Sequence, residues 1–190
     1  MPLLAVLVSA NGAGLQTLID ARSEGSFRSD LHVVISNRPG VEALKRARAV
    51  GIEAIVIDHR AYESRTAFDD ALSAALSERA IDLVVLAGFM RVLGPQFVAR
   101  WRGRAVNLHP SLLPRFPGLR AIRDTLAAGV SRTGLTLHFI DEGIDTGPII
   151  AQADVSIVPG DTEESLSARL HELERTFYPR EVDLVTRALL

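Results

Sequence analysis

Residues 105–118 read AVNLHPSLLPRFPG, an apolar run that ends on Asn107-Leu108-His109 and is followed by three prolines. In an extended chain, residues i and i+2 point to the same side. Asn107 and His109 therefore face one space while Leu108 packs behind them. Pro110 disfavours the helical region at His109, and Pro114 and Pro117 stiffen the loop beyond it. An amide N–H and an imidazolium held in this way are donors preorganised for an oxygen that gains negative charge. Imidazole has an unperturbed pKa of about 6.5, so it needs a carboxylate nearby to stay charged at neutral pH. The strongest candidate is Asp145 in HFIDEGIDTGP, bracketed by Gly143 and Gly147, with Asp141 as second choice.

Other readings of the same residues are open. Asparagines and aspartates beside glycines commonly serve turns. His138 alternates with Thr136 and Ile140, as either a core histidine or a wall of the site. His32 and His59 have no evident partners and read as surface or strand-end residues. A metal held by His109, His138 and Asp145 would lack any His-x-x-x-His pair, so none is expected. A second candidate site is the loop Ser9-Ala10-Asn11-Gly12-Ala13-Gly14 between the first strand and the first helix. Its backbone N–H groups, on Asn11, Gly12, Ala13 and Gly14, suit an anion at a helix N-terminus. The dinucleotide fingerprint is one residue short, and Ser36-Asn37 stands where an acid is required. No Gly-Lys-Ser/Thr occurs, so a monophosphate fits best.

The elements that must position these loops can be read from the hydrophobic pattern. A continuous apolar run at Leu3–Ser9 predicts a strand covered on both faces, and Leu31–Ser36, rich in β-branched residues, Ile52–Ile57, Leu83–Ala87 and Ala105–Leu108 read as four further strands. Helices are expected over 15–22, 41–50, 65–79 and 96–101, with Phe68, Leu72, Ala75 and Leu76 as the buried stripe of the third. After Pro117 the rhythm changes to a helix over 121–128, strands over 135–140 and 149–157, and a closing helix over 163–190. Thr162 before Glu163, Glu164 and Ser165 reads as its capped start. The alternation implies a single-domain α/β fold: a Rossmann-like, open, mostly parallel twisted sheet with helices on both faces and an antiparallel C-terminal portion. Residues 1–105 are expected as a nucleotide-binding half and 106–190 as a catalytic half. In such sheets ligands bind beyond the carboxyl ends of the strands, where the loops at 11–14, 88–91 and 107–118 all fall.

Composition narrows the function classes. The 190 residues are 47% hydrophobic, with 21 Lys+Arg against 23 Asp+Glu and no cysteine. Near balance of charge gives no reason to expect nucleic acid or anionic lipid. Lack of cysteine excludes disulfides and thiol nucleophiles. The apolar start is short, lacks positive charge and runs into a glycine loop, so it reads as a buried strand, not a signal peptide. No run approaches a membrane span, and a cytoplasmic monomer or homodimer is expected.

Ala87-Gly-Phe-Met-Arg-Val-Leu93, Asn107-Leu-His-Pro-Ser-Leu-Leu-Pro114, Phe116-Pro-Gly118 and Asp145-Thr-Gly-Pro148 occur in one order and spacing. Together they resemble the 10-formyltetrahydrofolate-dependent formyltransferases, and among them the phosphoribosylglycinamide formyltransferases, across nearly the whole chain. The resemblance implies 10-formyltetrahydrofolate as formyl donor, the primary amine of glycinamide ribonucleotide (GAR) as nucleophile, and no metal. It implies that Asn107 and protonated His109 stabilise a tetrahedral oxyanion, with Asp145 keeping His109 charged. It places the acceptor phosphate on Asn11–Gly14 and the ribose on Glu174. It places the folate along Met90, Arg91, Val92, Leu93, Ile140 and Asp141, its glutamate tail near Arg65, with His138 and Ser111 lining the site.

The chain departs from that pattern in places. The family's first loop commonly reads Ser-Gly-Asn-Gly-Ser-Asn, whereas Ala10, Ala13 and Gly14 stand here. A hydroxyl and an amide are lost, each worth roughly 0.5–1.5 kcal/mol as a hydrogen bond. His171 replaces a glutamine of some relatives, and Leu135 a small polar residue. Related readings are a formyltetrahydrofolate hydrolase, which is expected to carry an N-terminal regulatory domain ahead of the first strand, and a sugar-amine formyltransferase. A methionyl-tRNA formyltransferase would be expected to add a C-terminal domain and a basic face. A folate- or nucleotide-binding module without catalysis is the remaining alternative.

Overall fold

A computed structural model describes residues 2–189. Its elements are β1 (Leu3–Val8), α1 (Ala13–Ser23), β2 (Asp30–Ser36), α2 (Glu42–Ala49), β3 (Glu53–Val56), α3 (Arg65–Glu78), β4 (Leu83–Leu86), α4 (Pro95–Arg100), β5 (Ala105–His109), α5 (Ala121–Ala127), β6 (Arg132–Phe139), β7 (Ile149–Ser156) and α6 (Glu163–Ala188). One 3₁₀ turn, His59–Ala61, precedes α3. The seven strands form one sheet in the order β3-β2-β1-β4-β5-β6-β7. β1 to β5 pair parallel, and β6 and β7 run antiparallel at one end. The expected fold class is the observed one.

Side-chain alternation along β1 divides the core into two layers. Leu4, Val6 and Val8 join α1, α2 and α6 on one face. Ala5 and Leu7 join Phe68, Leu72 and Leu76 of α3 and Phe97 of α4 on the other. Both layers are buried, which is why the central strands β1 and β4 are apolar at every position. The strand order reverses between β1 and β4, and this switch point opens the crevice beyond their carboxyl ends.

Two local features bear on the site. β6 begins three residues earlier than its apolar pattern suggests, because Arg132, Thr133 and Gly134 pair with Ser156, Val155 and Asp154. Gly134 is required there, since a Cβ would collide with the Ala153 carbonyl oxygen. The start of α6 carries the expected cap as a reciprocal box: Ser165 N–H donates to Thr162 Oγ1 and Thr162 N–H to Ser165 Oγ.

Candidate active site

The parallel register of β4 with β5 sets Leu86 beside Asn107, and the antiparallel register of β5 with β6 sets Asn107 opposite His138 and His109 opposite Thr136. Asn107, His109 and His138 thereby reach one end of the sheet from two strands. Asp145 comes from the loop between β6 and β7. That loop bends sharply at Gly147, where a Cβ would collide with the Phe139 carbonyl oxygen.

The four side chains form one network. His109 Nδ1 lies 3.3 Å from Asp145 Oδ2, and Nε2 lies 2.8 Å from the Phe116 carbonyl oxygen. Each ring nitrogen of His109 therefore has an acceptor oxygen beside it. Asn107 Nδ2 lies 3.2 Å from His138 Nε2 and donates to Asp145 Oδ1 at 3.4 Å. Gly118 N–H donates to Asp145 Oδ2 at 2.8 Å. The His138 ring, whose Nε2 lies 3.6 Å from Asp145 Oδ1, is foremost, and with the hydrogen bond from Gly118 it holds the Asp145 carboxyl below the usual range, against the opposing effect of burial. Phe116 and Asp145, the two partners of His109, both adopt left-handed backbone, with φ of 55° and 56°. Strain of this kind at non-glycine residues concentrates at functional sites.

These groups line a cavity of about 450 Å³. Its opposite wall is Gly88–Leu93, and its mouth carries exposed Leu119 and Ile144. Met90, Arg91, Val92, Leu93, Ile140 and Asp141 all line it, as expected, and so does His138, which is also buried. Asp141 is not the partner of His109: its Oδ1 accepts from Gly143 N–H and the Thr146 hydroxyl, which shapes the turn before Asp145.

Two expectations need correction, those for Ser111 and His59. Ser111 is not a wall residue; it is fully buried and donates to the carbonyls of Arg115 and Phe116, folding the proline loop back on itself. Arg65, expected near the glutamate tail, is the first residue of α3 and lies outside the cavity wall, against Gly94 and near Asp69. His59 is not a free surface residue; its Nδ1 lies 2.8 Å from the Asn37 carbonyl oxygen. Sequence reasoning misses Thr136 and Gln152. Thr136 Oγ1 donates to Ser111 O and accepts from Leu113 N–H, and Gln152 Nε2 donates to Leu113 O, so the two pin the proline segment. The only sequence signal for Thr136 is that it shares a face with His138.

The Asn11–Gly14 loop sits beside this cavity, outside its wall. Gly12, with φ of 72°, caps α1 without a side-chain hydrogen bond, so the first-turn N–H groups have no side-chain cap. A Cβ at Gly12 would come within 2.6 Å of Ala43 Cβ. Gly14 packs on Glu174 and Tyr178 of α6, and a Cβ there would lie 3.3 Å from Glu174 Oε1. Glu174 is 8% exposed, and burial pushes its carboxyl above the usual range. The two expected halves thus share one region: Gly88–Leu93 faces residues after 105, and Glu174 meets Gly14. Among the described residues no cluster of three or more His, Cys, Asp or Glu could hold a metal ion, and no helix is long and apolar enough to cross a membrane.

Comparison with known proteins is consistent with this geometry. The family model described as Formyl transferase matches residues 3–182. The chain is 49% identical to the "Trifunctional purine biosynthetic protein adenosine-3" of Drosophila melanogaster over 179 residues, 93% of this chain but 13% of that protein's length. It is 41% identical to the "Phosphoribosylglycinamide formyltransferase" of Escherichia coli (strain K12) over 176 residues, covering 93% of this chain and 83% of that one. Its structure resembles a crystal structure of glycinamide ribonucleotide transformylase 1 from Symbiobacterium toebii, with a TM-score of 0.94 and 43% identity, covering 99% of this chain and 89% of that one.

Proposed function

The chain belongs to the formyl transferase family, and we propose that it transfers the formyl group of 10-formyltetrahydrofolate to the primary amine of glycinamide ribonucleotide, giving formyl-GAR and tetrahydrofolate in purine biosynthesis. The observation that carries this reading is the placing of Asn107, His109 and Asp145 on one wall of a cavity whose other wall is Gly88–Leu93.

The chemistry proceeds without an enzyme nucleophile. The amine attacks the formyl carbon, and the carbonyl oxygen becomes an oxyanion. His109 turns its Nε2–H from the Phe116 carbonyl to that oxygen. Asn107 gives it the N–H that otherwise makes the long contact to Asp145. Charged donors directed at developing charge in a desolvated site are commonly the largest catalytic contribution. Asp145 keeps His109 charged and takes up the proton lost by the amine, directly or through a water. That proton returns to N10 of the folate as the C–N10 bond breaks. The pteridine lies along Met90–Leu93, Ile140 and Asp141, with Arg65 beyond them for the glutamate tail. The acceptor phosphate takes the uncapped N–H groups at Asn11–Gly14, and Glu174 takes the ribose hydroxyls. The substrates are small molecules met in the cytoplasm.

Following tetrahydrofolate release from 10-formyltetrahydrofolate, with and without glycinamide ribonucleotide, tests the reading. Release that depends on the amine supports it. Equal release with water alone would make the chain a hydrolase.

A further inference from the structure

Ser36-Asn37 closes β2 where a dinucleotide-binding sheet would present an acid to a ribose. In this chain Asn37 does not face a ligand. It is 1% exposed, and its Oδ1 accepts from the hydroxyl of Ser9, also 1% exposed, at 2.7 Å. That hydroxyl in turn accepts from Met90 N–H at 2.8 Å. The Asn37 backbone is fixed from its other side, since its carbonyl meets His59 Nδ1 at 2.8 Å. A polar chain therefore runs from the end of β2 through the end of β1 into the loop after β4.

The far end of the same loop is held separately. Asp69 on α3 is 3% exposed, and its Oδ2 accepts from Gly94 N–H at 2.7 Å, where α4 begins. A buried carboxylate in an apolar layer is costly unless it is hydrogen-bonded. Asp69 Oδ1 has no partner among the described residues, and burial pushes this carboxyl above the usual range. Arg91, between the two tethers, lays its guanidinium over the Phe68 ring at 5.1 Å, one residue before Asp69.

We propose that Ser9, Asn37 and Asp69 are positioning residues for the formyl donor: they brace Gly88–Gly94 at both ends, so that this wall of the cavity is preformed for the pteridine. The inference rests on the assignment of that wall to the folate. A loop fixed in advance loses less freedom when it binds. Removing a tether therefore weakens donor binding and leaves the acceptor, held on Asn11–Gly14 and Glu174, largely untouched.

The test compares wild type with Ser9→Ala, Asp69→Leu and Asp69→Asn. Tetrahydrofolate affinity is measured by calorimetry, and kcat and both KM values by steady-state kinetics. Ser9→Ala and Asp69→Leu are expected to raise the tetrahydrofolate Kd and the donor KM by about two- to tenfold, the effect of losing one net hydrogen bond. The acceptor KM and the saturated kcat should stay within about twofold on the same reasoning. Asp69→Asn keeps an acceptor oxygen for Gly94 N–H and should restore donor KM toward wild type. If Asp69→Leu does not fold, Ser9→Ala, which removes a single oxygen, decides alone. Equal rises in both KM values, or an unchanged donor KM in a folded Ser9→Ala protein, would overturn the brace. A wild-type protein that does not bind tetrahydrofolate would instead overturn the donor assignment itself.

Discussion

His109 lies between two acceptors, the Asp145 carboxylate and the Phe116 carbonyl. His109→Ala removes the proposed donor for the oxyanion, and a positioned acid of this kind contributes about 10²–10⁴-fold. A loss of kcat of that order is expected with little change in unfolding midpoint, checked by kinetics beside urea denaturation. Asp145 carries a second prediction. Its folded pKa is depressed, so its contribution to stability is present above the unfolded value of about 3.9. That contribution is lost as pH falls through the folded value. The stability advantage of wild type over Asp145→Asn should therefore be full near neutrality and shrink in strongly acidic solution, read as urea midpoints across pH. Glu174 has the opposite sign. Burial raises its folded pKa, so its relative stability is full below the unfolded value of about 4.3 and is lost as pH rises. Glu174→Gln is expected to raise the neutral-pH urea midpoint while raising the ribonucleotide KM. A lower midpoint at pH 7 would contradict the burial argument.

At the scale of elements, the hairpin of β6 and β7 is the part that aims the acid. Gly147→Ala drives a methyl into the Phe139 carbonyl, an overpacking that typically costs about 1–3 kcal/mol. Because the same turn sets Asp145, kcat should fall along with the midpoint. Thr162→Ala is the control: it breaks the α6 capping box, costs about 1 kcal/mol, and should leave kcat unchanged. The elements were legible where a strand is an unbroken apolar run, as in Leu83–Leu86, while α1 and α4 begin one or two residues earlier than the expected 15 and 96. The Asn107, His109 and Asp145 set was legible from the i, i+2 spacing and the glycine-bracketed aspartate. The braces were not. Met90 and Ser9 are 81 residues apart, and Ser9 and Asn37 are 28 apart. No local pattern marks a serine that will bond across a sheet. Asp69 was hidden for a different reason: a carboxylate one residue past Phe68 reads as the wet side of the helix, yet the loop before α4 covers it. Ser111 was misread because its place in the motif suggested a wall, whereas its hydroxyl is spent on the turn.

At the scale of the whole molecule, the two buried layers on either side of β1 and β4 make the crevice rigid from beneath, while its rim is loop. The proposed donor wall and the proposed acceptor loop leave the neighbouring strands β4 and β1, yet they use different surfaces. Each ligand should therefore stabilise the fold on its own. A ligand at a hundredfold excess over its Kd adds about 2.7 kcal/mol. At roughly 2–4 °C per kcal/mol for a chain of this size, that is a rise in Tm of about 5–10 °C. Tetrahydrofolate and glycinamide ribonucleotide, tested singly and together by calorimetry, should give shifts that nearly add. His109→Ala should keep both shifts while losing turnover, since in the proposed mechanism the imidazole acts on charge that exists only during transfer. If that variant lost both shifts together with its activity, His109 would be holding the crevice open, and the oxyanion would have to find its donors elsewhere.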